Sequence, residues 1–148
     1  MEAKFVASIV LVRDVMSKDV KVVRPDTSVK EVVATMNKFD IGSIIVVQGE
    51  RPVGIITERD ILRRLVGPSL TPETLTARQI MTSPVISINE MASIEEAAKL
   101  MAKKKVKRLP VMSDDKLVGI LTFTDIVFKM PALLSILEEI VRPYHRSY

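Results

Sequence analysis

The sequence predicts an α+β protein made of two related β-α-β-β-α units with small mixed sheets, followed by a C-terminal helix. The main observation is an internal repeat: residues 13–62 align with residues 78–127 at a constant offset of 65, with 14 identities in 50 positions. In addition, 35 of the 148 residues are Val or Ile, which favour strands covered on both faces. Two copies of one supersecondary unit predict a pseudo-twofold pair that buries apolar faces.

The elements of the first copy follow from local patterns. Ser28 with Glu31 three residues on is typical of a capping box at a helix start. Turn residues around Gly49 separate two apolar runs, as in a hairpin. In chain order we predict the strand Val20–Val23, a helix after Ser28, the strands Ser43–Gln48 and Pro52–Thr57, and the helix Glu58–Leu65.

The second copy repeats this order, and Ser93 with Glu96 again marks a helix start. Its predicted elements are the strand Val85–Ile88, a helix after Ser93, the strands Arg108–Met112 and Lys116–Thr122, and the helix Phe123–Met130. The predicted division is 1–66 for the first unit with the N-terminal segment, 67–77 for a turn-rich linker, 78–130 for the second unit, and 131–148 for a C-terminal helix and tail.

The predicted C-terminal helix covers residues 131–141 and is apolar around much of its circumference. Pro131 suits a first helical turn, and Arg142-Pro143 stops the helix. A helix this apolar must be buried, either on its own domain or against a second subunit together with Phe5–Val12.

The composition argues against several classes of function. The chain has no Cys and a single His, His145, so thiol or His-based catalysis and Cys or His metal sites are not expected. No Gly-rich phosphate loop suggests nucleotide hydrolysis. No apolar run approaches the roughly 20 residues of a membrane span, and no signal-peptide cleavage site follows Phe5–Val12, so we expect a cytoplasmic protein.

A Thr-x-x-Asp motif occurs in both copies, as Thr57 with Asp60 and as Thr122 with Asp125. Each Thr ends a predicted strand and starts a helix, so the pair can be a helix cap. The same hydroxyl can also contact a phosphate, and the carboxylate can accept from the hydroxyls of a ribose. The two interpretations are compatible.

The repeated units and their motifs resemble cystathionine-β-synthase (CBS) domains. The resemblance lies in Pro52–Leu62 of the first copy and in Lys107–Val111 with Leu117–Ile126 of the second. It covers about residues 12–128 and implies a regulatory pair of units that binds an adenosine-type ligand in the cleft between them. The ligand would be AMP, ADP, ATP or S-adenosylmethionine, with no cofactor required. The resemblance also implies a homodimer.

The resemblance implies ligand contacts from both copies. Besides the two Thr-x-x-Asp motifs, the implied residues are Ile41, Gly42 and Ser43, Val106, Lys107 and Arg108, Met16 and Val20, Met81 and Val85, Arg59 and Thr124, and Ile120. Lys107 and Arg108 would bind phosphate. Because Gly42-Ser43 stands where the second copy has Lys107-Arg108, we expect two unequal clefts.

Three functions therefore compete. We expect a non-catalytic module whose ligand changes its contacts with an unidentified regulated protein. The first alternative is a nucleic-acid-binding module that uses Lys103–Arg108, although the net charge of +4 and the 4% of aromatic residues are low for that role. For Lys103–Lys105, a solvated helix end is the competing interpretation. The other alternative is a purely structural dimer.

Overall fold

The structure is a computed structural model in which residues 9–138 are described. Asp19–Ile86 and Asp114–Leu117 form one compact unit, here called the first-repeat unit, and the other described residues form the second-repeat unit. The elements in chain order are α1 (Val12–Val15), β1 (Val22–Val23), α2 (Val29–Phe39), β2 (Ser43–Gln48), β3 (Arg51–Thr57), α3 (Glu58–Ile61), α4 (Ala77–Ile80), β4 (Ile88–Asn89), α5 (Ile94–Lys104), β5 (Arg108–Ser113), β6 (Lys116–Thr122) and α6 (Phe123–Lys129). The predicted α+β class with two small mixed sheets is confirmed.

The sheet of the first-repeat unit has the order β1-β2-β3. β1 runs parallel to β2, and β2 pairs with β3 antiparallel, so that Ser43 faces Thr57 at one end and Gln48 faces Arg51 at the other. Gly49 in the hairpin turn has a φ of 65°, a left-handed conformation that glycine adopts without strain. The four central residues of β2 are buried, as in a strand with both faces covered.

α2 begins where the sequence predicts it. The Ser28 hydroxyl accepts the backbone N–H of Glu31 at 3.2 Å, which caps the helix. The buried residues Val29, Val32 and Met36 recur at helical spacing and pack in the core of the unit. Backbone carbonyls of the predicted linker accept the first N–H groups of α2, so this linker also satisfies a helix terminus.

The second-repeat unit repeats this architecture. β4 runs parallel to β5, with Ile88 opposite Val111, in a sheet of order β4-β5-β6. Ser93 caps α5 by accepting the N–H of Glu96 at 3.1 Å. The buried face of α5 includes Met101, which lies 65 positions after Met36 of the first copy. The repeated sequence thus folds into repeated local structure.

The compact units differ from the division that follows the repeat. Thr82 exchanges backbone hydrogen bonds with Ile55 of β3 at 2.8 and 3.1 Å, and Ser17 does the same with Ile120 of β6 at 2.9 Å in both directions. Each segment thereby pairs with a strand at the edge of a three-stranded sheet, whose backbone groups need partners. Residues 11–17 consequently pack with the second repeat, and residues 76–82 pack with the first.

The second helix of each unit is shorter or less regular than predicted. The predicted helix Glu58–Leu65 is an α-helix only over Glu58–Ile61 and continues as a π-helix over Leu62–Val66. The short helices α1 and α4 were not predicted, because four residues are too few to show a periodic pattern.

The C-terminal segment starts with a 3-10 turn at Pro131–Leu133, and residues 134–138 are helical. Leu137 is fully buried, whereas Leu134 is 41% exposed, so the burial predicted for this apolar segment is only partial within the described residues. The rest of the predicted helix, its Arg142-Pro143 stop, His145 and residues 5–8 of the Phe5–Val12 stretch lie outside the described residues. Within residues 9–138, no helix has the length and apolar character to cross a bilayer.

Candidate functional site

The Thr-x-x-Asp motif of the first copy is a reciprocal helix cap. The backbone N–H of Thr57 donates to Asp60 Oδ2 at 2.9 Å, and the backbone N–H of Asp60 donates to Thr57 Oγ1 at 3.3 Å. Both bonds satisfy N–H groups that α3 itself leaves without partners. The capping role predicted for this motif is confirmed.

The Asp60 carboxylate also has partners outside its own helix. Its Oδ1 accepts the hydroxyl of Thr82 at 2.9 Å and lies 4.0 Å from the Arg64 guanidinium. Arg64 in turn donates to the carbonyl oxygens of Ile80 at 3.1 Å and Met81 at 2.6 Å. Asp60 is only 8% exposed, so its charge is compensated inside the unit. These contacts tie α3 to residues 80–82.

The second copy contains the same reciprocal cap, with Lys129 in the place that Arg64 has beside Asp60. The N–H of Thr122 donates to Asp125 Oδ2 at 2.9 Å, and the N–H of Asp125 donates to Thr122 Oγ1 at 3.1 Å. Lys129 lies 3.9 Å from Asp125 Oδ1 and donates to the carbonyl of Val15 at 2.9 Å. The side chain of Asp125 is 21% exposed, against 11% for Asp60. The carboxylate of the second copy is therefore the more accessible one.

In each unit, the start of the second strand meets the start of the second helix. The N–H of Glu58 donates to the carbonyl of Gly42 at 3.1 Å, and Ser43 pairs with Thr57. The equivalent bond, from the N–H of Phe123 to the carbonyl of Lys107, measures 2.7 Å. Each unit thus brings the predicted residues at its strand start and its Thr-x-x-Asp motif to one end of its sheet.

The two predicted methionines pack against glycines of the edge strands. The side chain of Met81 lies against Gly54 of β3, and that of Met16 lies against Gly119 of β6. A side chain at either glycine would collide with the methionine, so the two residue types fit each other. Each methionine belongs by sequence to one copy of the repeat and contacts a strand of the other copy.

The remaining predicted residues have varied exposure. Ile41 packs against the core of the first-repeat unit. The N–H of Val106 donates to the backbone carbonyl of Met101 in the last turn of α5. Arg59 and Thr124 are exposed at equivalent positions of the two motifs. Ile41 and Val106 are partly buried, and so are Val20, Val85, Arg108 and Ile120.

The sequence-based selection missed three residues of these networks: Arg64, Thr82 and Lys129. A signal for two of them exists, because Arg64 and Lys129 are 65 positions apart and each follows its motif Asp by four residues. That spacing places a cation beside the carboxylate on a helix. Thr82 gives no such signal, since its contact with Asp60 spans 22 positions.

The lysines at the end of α5 are surface groups. Lys103–Lys105 are exposed at the end of α5, where cations complement the helix dipole. This exposure agrees with the interpretation as a solvated helix end. Among residues 9–138, no group of three or more His, Cys, Asp and Glu side chains is arranged to hold a metal ion.

Comparison with known proteins agrees with this architecture. An uncharacterized protein of Methanopyrus kandleri is 37% identical to this chain over 140 residues, which are 93% of this chain and 71% of that protein. The crystal structure of the CBS domain pair of protein MJ0100, in complex with 5′-methylthioadenosine and S-adenosyl-L-methionine, is similar with a TM-score of 0.75 and 30% identity, over 84% of this chain and 98% of that one. A hexameric CBS-CP12 protein from bloom-forming cyanobacteria is similar with a TM-score of 0.76 and 27% identity, over 83% of this chain and 69% of that one.

The family assignment rests on the two copies of the repeat. A family model for the CBS domain matches residues 12–67 and again residues 77–132. These ranges contain both Thr-x-x-Asp motifs and both capped helices, so the resemblance seen in the repeated motifs is confirmed. The chain therefore belongs to the CBS domain family.

Proposed function

We propose that this protein is a non-catalytic regulatory module that binds an adenosine-type ligand, either an adenine nucleotide or S-adenosylmethionine. The observation that carries the proposal is the accessible carboxylate of Asp125, which lies in the same unit as the cations at the start of β5. A structural neighbour with 30% identity binds two adenosine derivatives, which supports this ligand class. The ligand acts on the protein as an effector, and we propose the cytoplasm as its compartment.

The carboxylate of Asp125 suits the hydroxyls of a ribose. Its Oδ2 is occupied by the cap to Thr122, whereas Oδ1 has a cation at 3.9 Å, beyond ordinary hydrogen-bond distance. Oδ1 can therefore accept a ribose hydroxyl without breaking the cap. Ionised acceptors form the stronger class of hydrogen bond, so this contact favours a ligand with a free diol.

The charge at the start of β5 suits the other end of the ligand. Lys107 and Arg108 are partly buried, and the backbone bond from Phe123 to Lys107 holds this strand end next to the helix that carries Asp125. Arg108 can bind a phosphate or a carboxylate through its planar fork, and Lys107 adds a mobile charge. We propose that these two residues bind the phosphate of a nucleotide or the amino-acid carboxylate of S-adenosylmethionine.

The motif of the first copy is less suited to a charged ligand. Asp60 Oδ1 already accepts a hydrogen bond from Thr82, and Gly42-Ser43 stands where the second copy has two cations. We propose that Ile41, Gly42 and Ser43 contact an uncharged purine and that the second copy supplies the tighter polar contacts. The other proposed ligand contacts are Met16, Val20, Met81, Val85, Arg59, Thr124, Val106 and Ile120.

Lys129 offers a route from the ligand to the rest of its unit. Lys129 lies near Asp125 and donates a hydrogen bond to the Val15 carbonyl. A ligand that binds to the Asp125 carboxylate therefore changes the attraction between Asp125 and Lys129, and with it the contact of Lys129 with residues 11–17. We propose that occupancy shifts the position of this segment and so alters the contacts of a regulated protein. Such a shift requires the ligand to bind one arrangement more tightly than the other.

Calorimetry with adenine nucleotides and S-adenosylmethionine tests the proposal, with GMP as a control for base specificity. Asp125→Asn keeps an oxygen for the cap to Thr122 but removes the negative charge, and we expect it to weaken binding at least tenfold. Asp114→Asn is the matched control in an exposed turn, where a φ of 54° is tolerated by Asn. Equal affinity in the two variants would contradict the assigned site.

Thermal unfolding provides a second measurement for the same ligands. A ligand at a hundred times its dissociation constant should stabilise the fold by about 2.7 kcal/mol. If no adenosine derivative at millimolar concentration raises the melting temperature, the regulatory proposal fails. The alternative of nucleic-acid binding would gain support if the affinity for an oligonucleotide fell steeply as the salt concentration rises.

We further propose that the protein is a homodimer. Leu62 and Val66 follow the α3 helix and are 62% and 58% exposed, and Phe128 of α6 is 79% exposed. Large apolar side chains that remain exposed at equivalent regions of both copies are typical of interaction surfaces. A second copy of this chain would cover them.

A further inference from the structure

We propose that the first-repeat unit carries a second binding site, separate from the Thr-x-x-Asp motifs, for the phosphate group of a small phosphorylated molecule. The site is an open cavity of about 370 Å³ lined by Arg24, Pro25, Asp26, Gln48, Thr76 and Arg78. Its volume falls at the lower end of the range for small-molecule sites, about 300–1,000 Å³.

The backbone holds the two arginines of this cavity in fixed positions. The N–H of Arg78 donates to the carbonyl of Pro25 at 3.0 Å, and the N–H of Ala77 donates to the carbonyl of Thr27 at 2.8 Å. Within the loop after β1, the N–H of Arg24 donates to the Thr27 hydroxyl at 3.1 Å. The loop with Arg24 and the helix α4 with Arg78 therefore form one framework.

The side chains that line the cavity favour a ligand that carries both an anionic group and a hydrogen-bond donor. No carboxylate among the described residues lies within 4.0 Å of a guanidinium nitrogen of Arg24 or Arg78, so both can bind an external group. Two guanidinium groups match the geometry of a phosphate, and the Gln48 amide is a further donor. Asp26 adds one acceptor, which suits a hydroxyl or amine elsewhere on the same molecule.

The cavity lies at the opposite end of the sheet from the first motif. Ser43 at the start of β2 pairs with Thr57, whereas Gln48 at its end lines the cavity. Five residue steps of about 3.3 Å place the two ends of this strand roughly 17 Å apart. A ligand at Thr57 and Asp60 therefore does not occupy the cavity.

The second copy has the same backbone framework without the paired arginines. The N–H of Arg13 donates to the carbonyl of Glu90 at 3.0 Å, as Arg78 does to Pro25. The position equivalent to Arg24, however, is Asn89, and Glu90 brings a negative charge. Arg13 is thus an exposed arginine on equivalent backbone that lacks a second cation, which makes it a matched internal control.

The test is a titration of the ¹⁵N-labelled full chain with inorganic phosphate, followed by NMR at constant ionic strength. We expect saturable shifts of the backbone amides of residues 24–27 and 76–78, except Pro25, which has no N–H. Arg24→Ala and Arg78→Ala should each weaken phosphate binding about tenfold, equivalent to about 1.4 kcal/mol. Arg13→Ala should leave the phosphate-induced shifts at residues 24–27 and 76–78 unchanged.

Two results would overturn the proposal. One is a response to phosphate no larger than the response to sodium chloride of the same ionic strength. The other is equal phosphate affinity in Arg78→Ala and Arg13→Ala, which would mean that any exposed arginine on this framework suffices. Failure of the adenosine ligands to bind would not affect either result, because the site depends on different residues.

Discussion

Replacement of Gly54 by alanine introduces a methyl group where the side chain of Met81 packs. The added Cβ would lie 2.7 Å from Met81 Cγ and 3.0 Å from Met81 Cβ, against about 3.5–4.0 Å for an ordinary carbon contact. The Met81 backbone cannot easily retreat, because its N–H donates to the carbonyl of Ala77 at 3.0 Å. We therefore expect Gly54→Ala to lower the free energy of unfolding by about 1–3 kcal/mol, the usual cost of overpacking.

The assay is urea unfolding of the wild type, Gly54→Ala, Met81→Ala and the double variant. Thermal unfolding of the same variants is a second measurement. For a chain of this size, a loss of about 1–3 kcal/mol corresponds to a melting temperature lower by about 2–12 °C. The double variant should be less destabilised than the sum of the single ones by about 1 kcal/mol, because truncation of Met81 removes most of the collision. Additivity within about 0.5 kcal/mol would refute the packing described here.

The equivalent pair in the second copy is a control with a different expected result. A Cβ at Gly119 would lie 2.5 Å from Met16 Sδ but also 2.9 Å from the carbonyl oxygen of Ser17. Truncation of Met16 leaves the backbone oxygen in place. We therefore expect Met16→Ala to rescue Gly119→Ala less completely than Met81→Ala rescues Gly54→Ala.

Three further predictions concern caps, the arginine network and assembly. Ser28→Ala and Ser93→Ala should each lower the free energy of unfolding by about 1 kcal/mol in urea titrations, and an unchanged midpoint would contradict the capping role. Arg64→Met keeps the apolar stem but loses the bonds to two carbonyls, and we expect a loss of about 1 kcal/mol by the same assay; no loss would show that solvent replaces them fully. Leu62→Lys should lower the oligomeric mass seen by light scattering, whereas the exposed Lys104→Ala should not, and identical masses would count against the proposed apolar interface.

Elements with local signals were predicted well. β2 was predicted with its observed bounds, and the helices α2 and α5 start after the serines that cap them. Capping residues, strand periodicity and turn residues lie within a few positions of the structure they determine, which is why a single sequence suffices. The repeat strengthened the prediction of these elements, because each sequence signal occurs in both copies.

The pairing of the edge strands could not be predicted in this way. The contact of Thr82 with Ile55 joins residues far apart in the chain, and nothing in either local pattern indicates the partner. The same reason explains the second role of Asp60, whose cap to Thr57 was predicted but whose bond to Thr82 was not. Local sequence patterns indicate which polar groups form hydrogen bonds with residues a few positions away. Hydrogen bonds to residues far along the chain can be identified only once the fold is known.

The paired edges have a consequence for how this chain can be divided. A fragment that ends at residue 66 would keep β3 but lose residues 76–82, which donate to and accept from Ile55 and fill the space beside Gly54. A fragment that starts at residue 78 would likewise lack the partner of Ile120. One copy of the duplicated sequence is therefore not a self-sufficient folding module. Two separate single-copy chains could satisfy both edge strands only by exchanging the segments that pair with Ile55 and Ile120.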